Sequence, residues 1–349
     1  PQQRLGRWII FTLSLLLCFG APLTKFLTPP FARMLSLLIF GYMGLLALLL
    51  PSLLLLASIK TVYLRLRLKS ISTDDSRRRF LSRGIAATAL LGSSSAAASG
   101  VKAAFSPEVT PVDVPLGLEP GLSGLRIAQL SDVHIGPTLG ADFLNGVVEK
   151  TNALKPDLVV ITGDLVDGTP QQLGDAVALL GQLKSRHGTF FVTGNHEYYS
   201  GVDPWLRFLK SLGIRVLRNE TMTLTHNEVP FDLIGVDDYR AARAHPGHGY
   251  DIHKAVAGRN IKHASVLLSH QPKAIYHAAQ AEINLVLSGH THGGQIWPYG
   301  FIAKLVHPYV RGLHQHSERT WIYVHKGTGF WGPPVRVGAS AEIALLTLH

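Results

Sequence analysis

Five short apolar runs in the second two-thirds of the chain each break into a polar junction at their C-terminal end. Residues 125–130 end in Ser131-Asp132-Val133-His134, 158–161 in Thr162-Gly163-Asp164, and 190–192 in Thr193-Gly194-Asn195-His196-Glu197. Residues 266–268 end in Ser269-His270-Gln271-Pro272, and 284–287 in Ser288-Gly289-His290-Thr291-His292-Gly293-Gly294-Gln295. Runs this short and apolar, closed by glycine and small polar residues, predict buried strands. Residues 142–154 and 171–185 have helical spacing between them, so strand and helix alternate and an α/β sheet is implied. A further helix is expected over 203–212 with Pro204 in its first turn. Short strands follow near 214–217 and 231–236, and closing strands near 321–324 and 342–348. Ahead of all these, 107–115 alternates apolar and polar positions as a lead-in strand, and 116–124 is rich in turn residues.

The N-terminal third has a different pattern. Residues 8–23 and 34–59 are long apolar runs, and about 20 apolar residues cross a bilayer core of roughly 30 Å. The first run is short for a span unless tilted. A buried helical hairpin is the alternative reading, although no soluble core lies nearby in the sequence to cover it. These runs account for the positive mean hydropathy of the chain.

Charge sharpens this division. The net charge of +10 is unevenly held: residues 1–105 contain 13 Lys and Arg against 2 Asp and Glu, whereas residues 106–349 contain 20 against 21. The basic excess is therefore a membrane-topology signal rather than a footprint for nucleic acid, which is not expected as a main partner. Lys60, Arg65, Arg67, Lys69, Arg77, Arg78, Arg79 and Arg83 follow the second run and are expected to stay cytoplasmic. Ser76-Arg77-Arg78-Arg79-Phe80-Leu81 resembles a twin-arginine export signal, with the Ala-rich stretch 85–98 behind it. A basic juxtamembrane segment followed by a flexible Ala/Ser linker explains the same residues. Retention of the Ala-rich stretch would make it a third span. Cys18 is the single cysteine, which excludes an intramolecular disulfide and thiolate metal sites. The chain begins at Pro1 without an initiator methionine, which leaves room for upstream sequence.

The junctions carry the candidate chemistry. Asp132, His134, Asp164, Asn195, His270, His290 and His292 stand at five similar strand ends, and together they are the oxygen and nitrogen donors of a metal site. Any one junction alone fits a solvated turn equally well. Gly163, Gly194 and Gly289 each precede a donor, and glycine lets the chain turn sharply enough to aim the next residue inward.

In order, D-x-H, G-D, G-N-H-E, H and G-H-x-H resemble the calcineurin-like metallophosphoesterase superfamily. Leu130-Ser131-Asp132-Val133-His134-Ile135-Gly136, Gly163-Asp164-Leu165-Val166-Asp167-Gly168 and Gly329-Phe330-Trp331-Gly332-Pro333-Pro334 are similar to its bacterial membrane-associated branch, often called YkuE-like or YaeI-like. The resemblance covers residues 107–349. It implies a four-layer α/β/β/α sandwich preceded by transmembrane helices: an anchor over 1–70, a basic twin-arginine-like segment with a linker or third span over 71–106, and the metallophosphoesterase domain over 107–349.

It also implies two divalent ions about 3.5–4 Å apart, a spacing that can grip a phosphoryl group and hold a hydroxide for in-line attack. Asp164 would bridge them, with Asp132, His134 and His292 on one ion and Asn195, His270 and His290 on the other. Mn²⁺ is favoured by resemblance, with Fe or Zn²⁺ compatible with the same donors. His196 would donate a proton or stabilise charge at the leaving oxygen; the alternative is that it only orients Asn195. Glu197 is expected to support rather than ligate. The expected activity is hydrolysis of a phosphodiester or pyrophosphate at the outer face of a bacterial cytoplasmic membrane, and the anchoring suggests a lipid-linked or envelope substrate. A phosphomonoesterase on the same core, or a non-catalytic scaffold, are the other classes. No Arg lies within the five junctions to clamp a dianionic phosphate, although Arg240 or Arg243 could reach in. His245, His248 and His253 lie in a Pro/Gly-rich segment that is either a solvated or a substrate-facing loop. His314, His316 and His325 are equally open, and Trp331 is either a cleft wall or core.

Overall fold

The computed structural model describes residues 29–67 and 75–349. The elements are α1 (Pro29–Arg67), α2 (Asp75–Phe105), β1 (Glu108–Val114), β2 (Arg126–Leu130), α3 (Ala141–Ala153), β3 (Leu158–Ile161), α4 (Pro170–Val177), β4 (Thr189–Phe191), α5 (Asn195–Tyr199), α6 (Val202–Ser211) and β5 (Arg215–Val216). Then come β6 (Glu220–His226), β7 (Val229–Gly235), α7 (Ala241–Ala244), α8 (Ile252–Val256), β8 (Ala264–Leu268), α9 (Ile275–Gln280), β9 (Leu285–Ser288), α10 (Gly300–Val306), β10 (Gly312–Gln315), β11 (Trp321–Val324) and β12 (Glu342–Leu348).

Two six-stranded sheets result, in the orders β1-β12-β2-β3-β4-β5 and β10-β11-β9-β8-β7-β6. A run of neighbouring strands in each is parallel: β2 to β5 in the first, and β7, β8, β9 and β11 in the second. Strands of this kind are covered on both sides, and all four residues of β3 and of β9 are buried. Side chains from the two sheets meet face to face, with Ile127, Leu158, Val160 and Phe190 against Phe231, Leu233, Val266 and Leu285. The opposite face of the first sheet packs Ala128, Val159 and Ile161 on Leu144 and Val148 of α3, Val177 of α4 and Trp205 and Leu209 of α6. The second sheet packs Ile234, Leu267 and Val286 on Ala255 of α8 and Ile275 and Ala278 of α9. This is the four-layer sandwich expected, and each fully buried large aliphatic contributes about 1.5–3 kcal/mol to it.

Helix boundaries fall within a residue or two of the sequence reading, with one difference. The helix expected over 171–185 ends at Val177 and tightens into a 3₁₀ turn over Ala178–Gln182, after which Leu183 is extended. The tighter turn buries Leu180 and brings the chain round to β4.

The run 34–59 lies inside α1, whereas 8–23 falls outside the described residues. The Ala-rich stretch is helical rather than a flexible linker, since α2 runs continuously through it. Within these helices Phe31–Val62 and Arg79–Phe105 are each long and apolar enough to cross a membrane. The two helices pair antiparallel, with Ser93 beside Ser52 and the Lys60 ammonium donating to Ser82. Leu54 and Leu91 are each 70% exposed, so the pair is not a hairpin buried in the protein. Near the domain, Leu48 packs with Ile296 and Val335, and the Arg336 N–H donates to the Gly100 carbonyl.

Candidate metal centre

The C-terminal ends of β2, β3 and β4 in one sheet face those of β8 and β9 in the other, and the junctions carry the polar residues into one place. Side-chain contacts to backbone carbonyls hold the two sets together: Gln129 Nε2 donates to the Ser288 carbonyl, and His270 Nδ1 lies 2.8 Å from the Thr162 carbonyl. The His290 N–H donates to both oxygens of Asp132, at 2.9 and 3.0 Å.

That closeness demands glycine at two junctions. A Cβ on Gly289 would lie 1.9 Å from Ser131 Oγ and 2.2 Å from Asp132 Oδ2, and one on Gly194 would lie 2.2 Å from Asp164 Oδ1. Gly289→Ala is therefore expected to push the loop off Asp132 and to lower both thermal stability and metal retention. Melting temperature and bound-metal content check this; an unchanged protein would mean the loop has slack the contacts do not show.

The site is also strained. Asp132, His134, Asp164, His290 and His292 have φ between +50° and +71°, five of the eleven non-glycine residues with positive φ among those described. Such backbone costs about 1–3 kcal/mol per residue and clusters where function needs it.

The side chains form two groups sharing one carboxylate. In the first, His134 Nε2 and His292 Nε2 are 3.2 Å apart, with Asp132 Oδ1 3.5 Å from the latter. In the second, His270 Nε2 is 3.1 Å from both His290 Nδ1 and Asp164 Oδ2. Asp164 Oδ2 also lies 4.0 Å from His134 Nε2, so its carboxylate stands between the groups. The Asn195 Oδ1 atom is buried and has no hydrogen-bond partner. Six of the seven expected donors thus meet at one locus, and Asn195 stands between Gly194 and His196, whose backbones both lie against the Asp164 carboxylate.

These residues fit divalent metals. A buried amide oxygen without a partner is costly, and facing imidazole nitrogens repel unless a proton or cation lies between them. Each pair divides its protonation accordingly. Burial pushes His134 down, but Asp167, Asp164 and Asp132 overcome it and raise it to about 9. Burial, His134 and Arg336 hold His292 well below its ordinary value. Burial opposes charge on His270 too, yet Asp164 raises it well above normal. Burial and His270 depress His290 to about 3. Asp164, despite burial, is held low by His270, His196 and His134. These opposed directions leave one ring of each pair favouring the charged form, and a divalent ion held by the same nitrogens would supply that positive charge instead.

Two residues, Asp167 and Arg336, do more than the sequence revealed. The Asp167 carboxylate accepts from Nδ1 of both His134 and His196, turning both Nε2 atoms toward Asp164. Its own pKa is lowered by those two rings against the effect of burial. Its signal was a second carboxylate three residues after Asp164. Arg336, fully buried, donates to the carbonyls of Gly329, Lys326 and Ala339 and reaches the His292 backbone, bracing the C-terminal loop against the site. Nothing in its local sequence marked it. Glu197 accepts the N–H groups of Gly194, Asp164 and Leu165, the supporting place expected of it, and burial with Asp164 nearby raises it to about 7.

The rim is aromatic and basic. Trp331 is 58% exposed with its ring 5.8 Å from that of His196, so it walls the cleft while its neighbour Phe330 packs in the core against Phe105. The Arg240 guanidinium donates to the Tyr199 hydroxyl, and the Tyr199 ring lies 5.4 Å from His196. His245 and His248 converge instead on Asp203, outside this locus. His314 and His316 contact Tyr309, and His325 is buried beside Gly327.

Comparison with known proteins bears on the same region. The family model described as calcineurin-like phosphoesterase matches residues 125–294. A Bos taurus protein described as a transmembrane protein with metallophosphoesterase domain is 46% identical over 260 residues, which is 71% of this chain and 59% of that protein. The chain therefore spans less than two thirds of that relative. An uncharacterized metallophosphoesterase of Aquifex aeolicus is 35% identical over 225 residues, 64% of this chain and 85% of that one. The uncharacterized metallophosphoesterase YkuE of Bacillus subtilis is 31% identical over 237 residues, 65% and 80% of the two chains.

Proposed function

The chain belongs to the calcineurin-like metallophosphoesterase family, and on that premise we propose that it is a membrane-anchored, two-metal hydrolase of phosphodiester or pyrophosphate bonds. The observation that carries this is the Asp164 carboxylate standing between Asp132, His134 and His292 on one side and His270 and His290 on the other, with the unpartnered Asn195 oxygen beside them. Those seven residues would hold two divalent ions, Mn²⁺ by family resemblance. When bound, such ions supply Lewis acidity to the phosphoryl group and lower the pKa of water.

The protein's own groups do the rest. His196, its Nδ1 held by Asp167, presents Nε2 toward the cleft and delivers a proton to the leaving oxygen. Trp331 and Tyr199 flank that ring and exclude water from it. Arg240, beside Tyr199, faces the non-bridging charge of the substrate from the rim. Arg240→Ala is expected to raise KM about tenfold with a smaller effect on kcat, because a rim cation binds substrate and transition state alike. A selective loss of kcat would move Arg240 into the chemistry. Comparing rates on an aryl phosphodiester and an aryl phosphomonoester tests the reaction class: preference for the monoester would replace the diesterase reading. Bound metal without turnover on either would favour a scaffold.

Topology supports an outward-facing domain. The basic residues from Lys60 to Arg83 gather where α1 finishes and α2 begins, and positive charge of that density favours the cytoplasmic side. The domain is attached at the opposite end, which favours the outer face of the bacterial cytoplasmic membrane, next to lipid-linked or envelope phosphoesters. A single cysteine at the exposed Ile261 in a Cys18→Ala chain is expected to react with a membrane-impermeant maleimide on intact cells. Reaction only after permeabilisation would place the domain inside.

A further inference from the structure

Helix α10 buries none of its seven residues, although its sequence, Gly300-Phe301-Ile302-Ala303-Lys304-Leu305-Val306, is apolar but for one lysine. Phe301 is 61% exposed, Ile302 59%, Leu305 86% and Val306 56%, and Trp297 just ahead is 54% exposed. So dense an apolar surface around one short helix marks an interaction face.

Its position says what it meets. The helix begins against Gly294, immediately after the His290–His292 junction, and it ends at His307, whose ring lies 5.2 Å from that of His290. Trp331 continues the face on the other side, its carbonyl accepting from Gln295. Between Gln295 and Trp297, Ile296 is buried with Val335 and Leu48 of α1, so the segment that leads into the helix is packed directly against the candidate membrane hairpin. Tryptophan on either flank and an exposed lysine within suit the headgroup layer, where indole rings settle and a lysine stem reaches out to phosphate. Behind the helix lies a cleft of about 500 Å³, lined by Trp297, Phe301, Lys304, His307, Tyr309 and Arg311 and reaching Gly293 and Gly294.

We propose that α10, with Trp297 and Trp331, lies in the headgroup layer of an anionic phospholipid bilayer and seats the mouth of the metal centre on that surface. Lys304 and Arg311 meet the lipid phosphates, and the cleft admits the apolar part of a phospholipid-like substrate that enters without leaving the membrane. The contact stands on exposure and position alone; the substrate consequence rests on the phosphoesterase reading above.

The test uses the full chain with Cys18→Ala and one cysteine, at Leu305 or Ile261, labelled with an environment-sensitive dye and reconstituted into phosphatidylcholine–phosphatidylglycerol vesicles. Ile261 precedes β8, at the end of the sheet remote from the site. The Leu305 dye is expected to emit at shorter wavelength and to be quenched by spin-labelled lipid, and the Ile261 dye only by aqueous iodide. A Leu305 dye open to iodide, or shielded from both quenchers as by a protein partner, would overturn the proposal. In parallel, the triple change Ile302→Ser, Leu305→Ser and Val306→Ser is expected to slow hydrolysis of a vesicle-borne phosphodiester by about tenfold or more while leaving a soluble aryl diester unaffected. Equal rates on vesicles would refute the substrate consequence. A parent chain inactive on both substrates would instead refute the phosphoesterase reading and leave the dye result standing.

Discussion

Asp164→Asn is expected to abolish hydrolysis and strip the protein of metal together. The Asp164 carboxylate reaches both histidine clusters, lying 3.1 Å from His270 and 4.0 Å from His134. Two dications at about 3.5–4 Å repel strongly, and a bridging negative charge is what offsets that repulsion. An amide keeps the shape and removes the charge. Metal content of the purified protein should fall from about two ions per chain to one or none, with turnover on an aryl phosphodiester lost. Retention of two ions with full activity would show that the carboxylate is not the bridge. The amide oxygen can still accept from the His196 N–H, which lies 2.8 Å from Asp164 Oδ1, so the α5 turn should hold.

His196→Ala should behave differently. Its ring lies beside the clusters rather than in them, with Nε2 3.9 Å from Asp164 and Nδ1 on Asp167. Metal content should be unchanged and kcat should drop by about 10²–10⁴-fold, the range for losing a positioned acid. The loss should be smallest for substrates whose leaving group needs no proton, such as a nitrophenolate, and largest for an alkyl diester. Loss of metal would assign His196 to holding Asn195 instead. Asp167→Asn should resemble His196→Ala in direction but be milder, since the amide oxygen can still accept from one of the two rings.

What the sequence made legible follows from where the information lies. The donors were visible because each sits at the end of a short apolar run, and strand ends in a parallel sheet necessarily converge along one edge. Asp164 and His290 are 126 positions apart in number, yet both were placed by that rule. Asp167 was in view within the second motif, but its role depends on a turn that brings it under rings from two other segments, and spacing does not encode that. Arg336 was less visible still: a basic residue after two prolines reads as a surface loop until the packing of α2 on that loop buries it. Trp331 and Phe330 show the same limit, two adjacent aromatics of which one is cleft and the other core. The Ala-rich stretch fits a linker or a helix by composition, and what makes it helical here is a partner, α1, lying alongside.

The most direct test of the central claim is an anomalous difference map from crystals grown with Mn²⁺. The account expects two peaks about 3.5–4 Å apart, one on either side of the Asp164 carboxylate, the first within bonding distance of Asp132, His134 and His292 and the second of Asn195, His270 and His290. A single peak, or density confined to the Asp203, His245 and His248 group while the Asp164 locus remains empty, would contradict it.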